Sequence, residues 1–328
     1  MVLSETIPLR TGYEMPKIGL GTWQIPRSIT ALRVMEALEL GYRHIDCAPG
    51  FRNMREAAQG VKDFFDAHPD VDRSKLFITN KIWNTCHSTQ KCLEQIEMML
   101  EEFETTYMDC IFIHWPFGWA EDEPGETGMW PRGDDGKMRY SDVDFMETYR
   151  ALEQAREQGK VRSLGISNFN MQQAERVWRE ATHKPSIIQL EMNPYFTQLP
   201  YRDFCRQRDI VVMAHMPIGN PGSSVFRKHG DPNLLFDATL QSIARIHGKS
   251  VVQVVLRWII DHGFTAVIKS QDIKRIKQNI NVFKFKLTPE EMARIDGLNE
   301  NFRILNPLIG NFDHPLFPWP YKAPLKFK

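Results

Sequence analysis

The feature that most constrains the fold of this chain is a regular alternation of short β-rich runs with segments of helical pattern. Eight runs occur, and each is followed by a segment that can form a helix. They are Lys17–Leu20, Arg43–Asp46, Leu76–Thr79, Asp109–His114, Val161–Ile166, Ile187–Leu190, Ile210–Ala214 and Thr265–Ile268. Repeated strand–helix units are typical of a parallel sheet joined by helical crossovers. We therefore predict an α/β fold, a (β/α)8 TIM barrel that forms one domain over residues 1–328.

Several segments interrupt this alternation. Ile7–Met15 is predicted to form a hairpin, turning at Thr11-Gly12, that plugs one end of the barrel. Two long loops, Trp115–Tyr140 and Met216–Leu234, are expected over the opposite end, because long barrel insertions usually sit at the catalytic mouth. The tail after Leu298 is apolar and punctuated by proline, so we expect it to be irregular.

Helix starts carry their own signals. Ser28 is the predicted N-cap of a helix over Ile29–Leu40. Capping boxes are predicted for Asn170 with Gln173 and for Thr288 with Glu291.

Charge and cysteine content exclude several classes of protein. Lys+Arg and Asp+Glu both number 41, and this balance argues against a nucleic-acid or acidic-membrane partner. The five cysteines are an odd count without a CxxC pair, so neither a metal site nor a disulfide framework is expected. The N-terminus lacks the basic-then-apolar pattern of a secretory signal. We expect a soluble, cytoplasmic protein.

Three residues that can shift one another's pKa fall at the ends of neighbouring predicted strands. Asp46 closes the second strand, Lys81 follows the third, and His114 ends the fourth. The carboxyl ends of barrel strands converge on the mouth where such enzymes place their chemistry. Two structural alternatives stay open: a core histidine bonded to backbone for His114, and an ion pair of purely structural role for Asp46 and Lys81.

Six motifs, in order along the chain, resemble the aldo-keto reductase superfamily. They are MPKIGLGTW (15–23), GYRHIDCA (41–48), FITNKIWN (77–84), IFIHWP (111–116), GKVRSLGISNFN (159–170) and IKS…KRIKQN (268–279). The resemblance implies reduction of a carbonyl by hydride from a nicotinamide cofactor. A tyrosine then donates the proton, a lysine paired with an aspartate lowers the tyrosine's pKa, and a histidine orients the carbonyl.

One catalytic position departs from this pattern. Asp46, Lys81 and His114 match the aspartate, lysine and histidine, but Phe51 stands where the tyrosine is expected. A phenyl ring has no proton to donate. Loss of a general acid typically costs roughly 10²–10⁴ in rate.

The resemblance also assigns residues to the cofactor. They are Ser167, Asn168 and Gln189 for the nicotinamide carboxamide, His215 for stacking on the nicotinamide ring, Lys269, Ser270 and Arg275 for the adenosine 2′-phosphate, and Gln278 and Asn279 for the adenine. We therefore predict NADP(H) rather than NAD(H). Asp272 would repel the phosphate if it pointed inward, whereas at a helix start it can serve as an N-cap. A solvated helix face is the alternative for the basic cluster.

Trp23, Trp83, Trp115 and Phe117 match or adjoin positions that line the substrate pocket in the resembling family. Aromatic walls favour an apolar carbonyl compound as substrate. The leading hypothesis is an NADP(H)-dependent reductase of aldehydes and ketones, acting as a monomer, whose proton-donor step is impaired or altered. The alternative is a catalytically inactive NADP(H)-binding protein. A metal-dependent barrel hydrolase is disfavoured, because no His-x-His pair follows the first strand.

Overall fold

Eight parallel strands close into a barrel in the computed structural model, which describes residues 5–121, 128–223, 225–305 and 314–319. The barrel strands are β3 (Ile18–Gly21), β4 (His44–Asp46), β5 (Phe77–Ile82), β6 (Met108–Ile113), β9 (Val161–Ser167), β10 (Ile187–Glu191), β11 (Val211–His215) and β12 (Thr265–Ile268). They neighbour one another in that order, and β12 pairs with β3 to close the ring. Each predicted β-rich run overlaps one barrel strand, and the predicted (β/α)8 barrel is confirmed.

Helices follow the barrel strands along the chain. In the described ranges they are α1 (Arg27–Glu39), α2 (Met54–Ala67), α3 (Thr89–Glu102), α4 (Phe145–Glu157), α5 (Met171–Glu180), α6 (Leu199–Arg206), α7 (Ala238–His247), α8 (Val251–Asp261), α9 (Ile273–Ile280) and α10 (Pro289–Asp296). None of these helices has both the length and the hydropathy needed to cross a bilayer.

The barrel interior is filled by side chains that alternate along the strands. Successive strand residues point to opposite faces, so every second residue faces inward. Two glycines make room for large interior groups: a Cβ on Gly165 would lie 2.3 Å from the Phe112 ring, and one on Gly19 would lie 2.3 Å from Nδ1 of His44. The interior cluster comprises Leu9, Met15, Phe77, Cys110, Phe112, Ile187, Val211, Met213 and Val267.

The predicted N-terminal hairpin is confirmed. Strands β1 (Thr6–Pro8) and β2 (Glu14–Pro16) pair antiparallel. Leu9, directly after β1, and Met15, in the middle of β2, belong to the interior cluster of the barrel. The hairpin therefore plugs one end of the barrel and leaves the other end for the site.

A two-stranded sheet forms part of one loop at that other end. In the loop over 115–140, β7 (Gly118–Trp119) pairs antiparallel with β8 (Tyr140–Ser141), while residues 122–127 lie outside the described ranges. The described residues of the tail after Leu298 form neither helix nor strand, as predicted. Glu191 holds the tail at the mouth, because its two carboxylate oxygens accept the N–H groups of Ile304 and Leu305 at 2.8 and 2.7 Å.

Both predicted capping boxes are present, at the starts of α5 and α10. The predicted Ser28 cap is wrong, since α1 begins at Arg27 and Pro26 occupies the N-cap position without a side-chain bond. The reason is a tertiary contact: the Asn53 amide donates to the carbonyls of Thr22 and Ile25 and sets where the chain enters α1.

Candidate active site at the barrel mouth

The strand periodicity that fills the interior also aims the candidate residues into the mouth. His114 lies two residues beyond Phe112, Gln189 two beyond Ile187, and His215 two beyond Met213. Residues two apart on a strand share a face, so these side chains continue the interior column towards the carboxyl ends. The barrel therefore brings them together although they are far apart in sequence.

Two strand boundaries differ from the prediction. Lys81 lies within β5, which continues to Ile82, rather than after it. β6 ends at Ile113, and His114 follows directly with its N–H bonded to the Ile82 carbonyl at 3.1 Å. The buried strand can include the charge of Lys81 because the Asp46 carboxylate pairs with it.

Lys81 and Asp46 form a buried ion pair at the centre of the site. Lys81 Nζ lies 2.7 Å from Asp46 Oδ1, with the two side chains 1% and 4% exposed. Nζ also donates to the Cys47 carbonyl at 2.9 Å. The same Asp46 oxygen accepts from Thr79 Oγ1 at 2.7 Å and from Gln189 Nε2 at 3.1 Å. Buried charges are stable only when paired and hydrogen-bonded, and this network meets both conditions.

Phe51 covers this ion pair from the mouth. Its ring centroid lies 4.8 Å from Lys81 Nζ, and its ring packs edge-on against His114 at 5.7 Å. A short turn over Pro49–Phe51 presents the ring, and Gly50 allows the close approach, since a Cβ there would lie 2.2 Å from the Trp83 ring. The ammonium thus faces two acceptors and an aromatic ring, and residue 51 supplies no proton donor.

His114 is a neutral imidazole in this environment. Burial lowers its pKa well below the usual value of histidine, and the nearby Lys81 and His215 lower it further. Its Nδ1 is buried and has no hydrogen-bond partner within the described ranges. This geometry does not match the alternative of a core histidine bonded to backbone through its ring. A neutral ring can still donate one N–H to a bound oxygen.

The four residues predicted at the nicotinamide are connected by hydrogen bonds. Ser167 Oγ donates to Gln189 Oε1 at 3.3 Å, and Asn168 Oδ1 accepts from His215 Nε2 at 3.1 Å. Asn168 Nδ2 donates to the His114 carbonyl at 3.0 Å. Burial, followed by the effect of Lys81, lowers the pKa of His215 to about 3, so its ring is uncharged at neutral pH. A carboxamide finds both donors and acceptors here, and an uncharged ring does not repel an oxidised nicotinamide.

The residues predicted at the adenosine end lie just before α9 and along its length. Lys269 is half-buried and its ammonium has no ion pair or hydrogen bond with any described residue, while burial lowers its pKa. Asn279 is 5% exposed, and its amide makes no hydrogen bond in the described ranges. Arg275 and Gln278 are exposed. A half-buried cation without a counter-charge suits an anionic ligand. The residues therefore fit the predicted dinucleotide.

Aromatic rings form one wall of the mouth. Trp83 packs against His114 at 5.3 Å and Trp115 lies stacked on it at 6.4 Å. Trp23 and Trp115 are partly exposed and offer ring surface to the mouth. The prediction for Phe117 is wrong: it is 1% exposed, so it lies behind Trp115 and cannot line an open pocket.

Sequence reasoning missed two residues at this site. The Thr79 hydroxyl donates a hydrogen bond to Asp46. The sequence could have predicted this residue, because Thr79 lies two residues before Lys81 and strand alternation places both on one face. Trp319 packs against Trp115 at 5.5 Å. The sequence could not predict this contact, because the tail has no periodic pattern. Across the described residues, no group of three or more His, Cys, Asp or Glu side chains is placed to hold a metal ion.

The buried neutral histidines predict acid sensitivity. Burial is the main cause that lowers their pKa values, to about 4 for His44, to about 3 for His87 and His215, and well below the ordinary value for His114. The unfolded chain binds protons below pH 6.5 whereas the folded chain does not, so stability present above pH 6.5 is lost as the pH falls. When the pH is lowered from 6.5 to 5.5, the free energy of unfolding should fall by about 1 kcal/mol for each of these histidines.

Urea unfolding at pH 6.5 and at pH 5.5 measures this loss of unfolding free energy. In His87→Gln the loss should be smaller by about 1 kcal/mol, since one titrating group is removed. The exposed His229→Gln should keep the native loss. An equal loss of unfolding free energy in the native chain and both variants would contradict the role given to His87.

Known proteins resemble this chain over nearly its full length. The sequence model of the aldo/keto reductase family matches residues 17–300. Aldo-keto reductase family 1 member A1-A of Danio rerio is 35% identical over 325 residues, covering 97% of this chain and 99% of that protein. Aldo-keto reductase family 1 member A1 of Mus musculus is 35% identical over 324 residues, covering 96% and 98%. A solved Bombyx mori aldo-keto reductase in complex with NADP is 32% identical with a TM-score of 0.86, covering 97% of this chain and 100% of that chain.

Proposed function

The chain belongs to the aldo/keto reductase family, and from this premise we propose that it is an NADP(H)-dependent oxidoreductase that reduces aldehydes or ketones with an altered proton-donor step. One observation carries the proposal. The Asp46–Lys81 pair and His114 lie together at the barrel mouth, beside the hydrogen-bonded cluster of Ser167, Asn168 and Gln189, while Phe51 occupies the place of the donor.

In the proposed complex, this chain's residues hold the cofactor at both ends. Ser167, Asn168 and Gln189 bind the carboxamide, and the uncharged His215 ring packs on the nicotinamide. Lys269 and the other residues predicted around α9 bind the adenosine end of the cofactor. The bound NADPH supplies a hydride to the carbonyl carbon of the substrate. Every polar group assigned to the carboxamide lies on a barrel strand or directly after one, which keeps the ring position defined.

The proton step is where this chain departs from its family. The Lys81 ammonium is enclosed by two acceptors and the Phe51 ring, so none of its N–H groups is shown directed at the substrate. His114 has a buried imidazole beside the mouth and can donate an N–H hydrogen bond to the carbonyl oxygen. A neutral imidazole is a weak acid, so it stabilises the developing alkoxide without readily transferring a proton. We therefore assign a slow turnover in which His114 binds the carbonyl oxygen and solvent water supplies the proton to the alkoxide after hydride transfer.

The substrate that fits this mouth is an apolar carbonyl compound. The partly exposed rings at the mouth are Trp23, Phe51 and Trp115. Apart from His114, which is assigned to the carbonyl oxygen, the polar side chains named above are hydrogen-bonded to Asp46 or within the carboxamide cluster. Burying a hydroxyl-rich substrate against these rings would leave its polar groups without partners, whereas an aromatic or aliphatic aldehyde would lose little on transfer.

Cofactor binding is the first test of the proposed function. Titration with NADPH is expected to quench the fluorescence of Trp23, Trp83 and Trp115 in a saturable way, because these rings lie at the mouth. Titration with AMP serves as the control, since it lacks the nicotinamide. Steady consumption of NADPH with apolar aldehydes should accompany binding. If neither NADPH nor NADH shows saturable binding, the proposal is refuted.

A catalytically inactive NADP(H)-binding protein is the second candidate. The observation that favours it is the Phe51 ring, which covers Lys81 without offering a donor of its own. Its distinguishing result is cofactor binding without consumption of NADPH by any aldehyde or ketone.

A further inference from the structure

We propose that Asp272 reduces the preference of this site for NADPH over NADH, so that the chain accepts both cofactors. The inference rests on the proposed function and concerns the adenosine end of the same site. It assigns a specificity role to one carboxylate that stands among the residues expected to bind a 2′-phosphate.

Asp272 already occupies the helix end that such a phosphate would use. Its Oδ1 accepts the backbone N–H groups of Lys274 at 2.7 Å and of Arg275 at 3.4 Å, which confirms it as the N-cap of α9. Free N–H groups at a helix N-terminus favour an anion. Here the anion is supplied by the chain itself, so an incoming phosphate must compete with it.

Ser270 is engaged in the same local arrangement. Its hydroxyl donates to the Asp272 carbonyl at 3.2 Å and accepts the Asp272 N–H at 3.1 Å. The one proton of this hydroxyl is therefore already used. Of the three residues predicted to bind the phosphate, Lys269 and Arg275 are left as donors, and Arg275 is exposed to solvent, where its charge is screened.

One observation beside Asp272 favours an anionic ligand here. Lys269 is a half-buried cation without a counter-charge in the described ranges. It does not depend on Asp272 and suits a negatively charged dinucleotide.

The carboxylate acts differently on the two cofactors. A 2′-phosphate carries close to two negative charges, and the exposed Asp272 carboxylate repels it through solvent, which weakens the repulsion without removing it. A ribose 2′-hydroxyl is neutral and can donate a hydrogen bond to a carboxylate, as acidic residues do in NAD-binding sites. Asp272 therefore lowers affinity for NADPH and leaves affinity for NADH unchanged or raised.

The test is fluorescence titration of the native chain and of Asp272→Asn with NADPH and NADH. Asparagine keeps an N-cap oxygen and removes the charge. The expected result is about tenfold tighter NADPH binding in the variant, with NADH changed much less. Asp144→Asn is the matched control, because Asp144 caps α4 in the same way on a helix without predicted cofactor residues. It should leave both affinities at their native values.

The outcomes separate this inference from the proposed function. If the native chain binds neither cofactor, both are overturned. If it binds them but the ratio of the two affinities is the same in Asp272→Asn as in the native chain, the inference alone is overturned. Titration with adenosine 2′,5′-bisphosphate against AMP should show the same tenfold effect of the variant, because the difference lies in the 2′-phosphate.

Discussion

Phe51→Tyr is expected to raise kcat for apolar aldehydes by about 10²-fold or more, which is the usual contribution of a positioned general acid. The substitution adds a hydroxyl to a ring whose centroid lies 4.8 Å from Lys81 Nζ. A neighbouring ammonium stabilises the phenolate, and this lowers the pKa of the phenol and makes it a better proton donor. NADPH consumption followed by absorbance measures the effect with a panel of aldehydes and ketones.

Phe51→Leu is the control for this experiment. It removes the aromatic cover of Lys81 without adding a donor, so any rate gain shared by both variants would come from exposing the ammonium. NADPH affinity should change little in either variant, because Ser167, Asn168 and Gln189 are unaltered. The tyrosine variant should also show a new ionisation in its pH–rate profile. Binding of NADPH without turnover in native chain and tyrosine variant alike would favour the binding-protein alternative.

Lys81→Met is expected to lower the unfolding free energy by about 3–5 kcal/mol, the range for breaking a buried ion pair by removing one partner. Asp46 would remain buried with only the donors Thr79 and Gln189 to satisfy a full negative charge. Methionine has nearly the length of the lysine stem, so lost packing contributes little. Urea unfolding at pH 7.5 measures the difference.

The double variant Asp46→Asn, Lys81→Met should recover much of this loss, because it removes the unpaired charge together with its partner. Lys62→Met, which breaks the exposed pair with Glu104, should leave stability close to the native value. A single variant as stable as the native chain would contradict this expectation. Loss of NADPH turnover in the double variant is expected, since both residues belong to the site.

Local sequence was sufficient wherever a signal and its consequence lie within a few residues. The eight barrel strands follow from β-rich runs, and both capping boxes join residues three apart. Asp46, Lys81 and His114 stand at or next to the carboxyl ends of neighbouring predicted strands, and this position alone was enough to expect them together at the mouth. The N-cap role of Asp272 was likewise readable from its position before a helix.

What the sequence by itself determined is the barrel, its order of strands and helices, and the absence of a proton donor at residue 51. Only the tertiary structure decided that Phe51 lies over Lys81, that Phe117 is buried behind Trp115, that Trp319 joins the mouth and that α1 starts before Ser28. The physical reason is the distance along the sequence over which each interaction acts. Strand alternation and helix caps act between near neighbours, whereas these contacts join segments whose approach depends on how the barrel closes and how its loops pack.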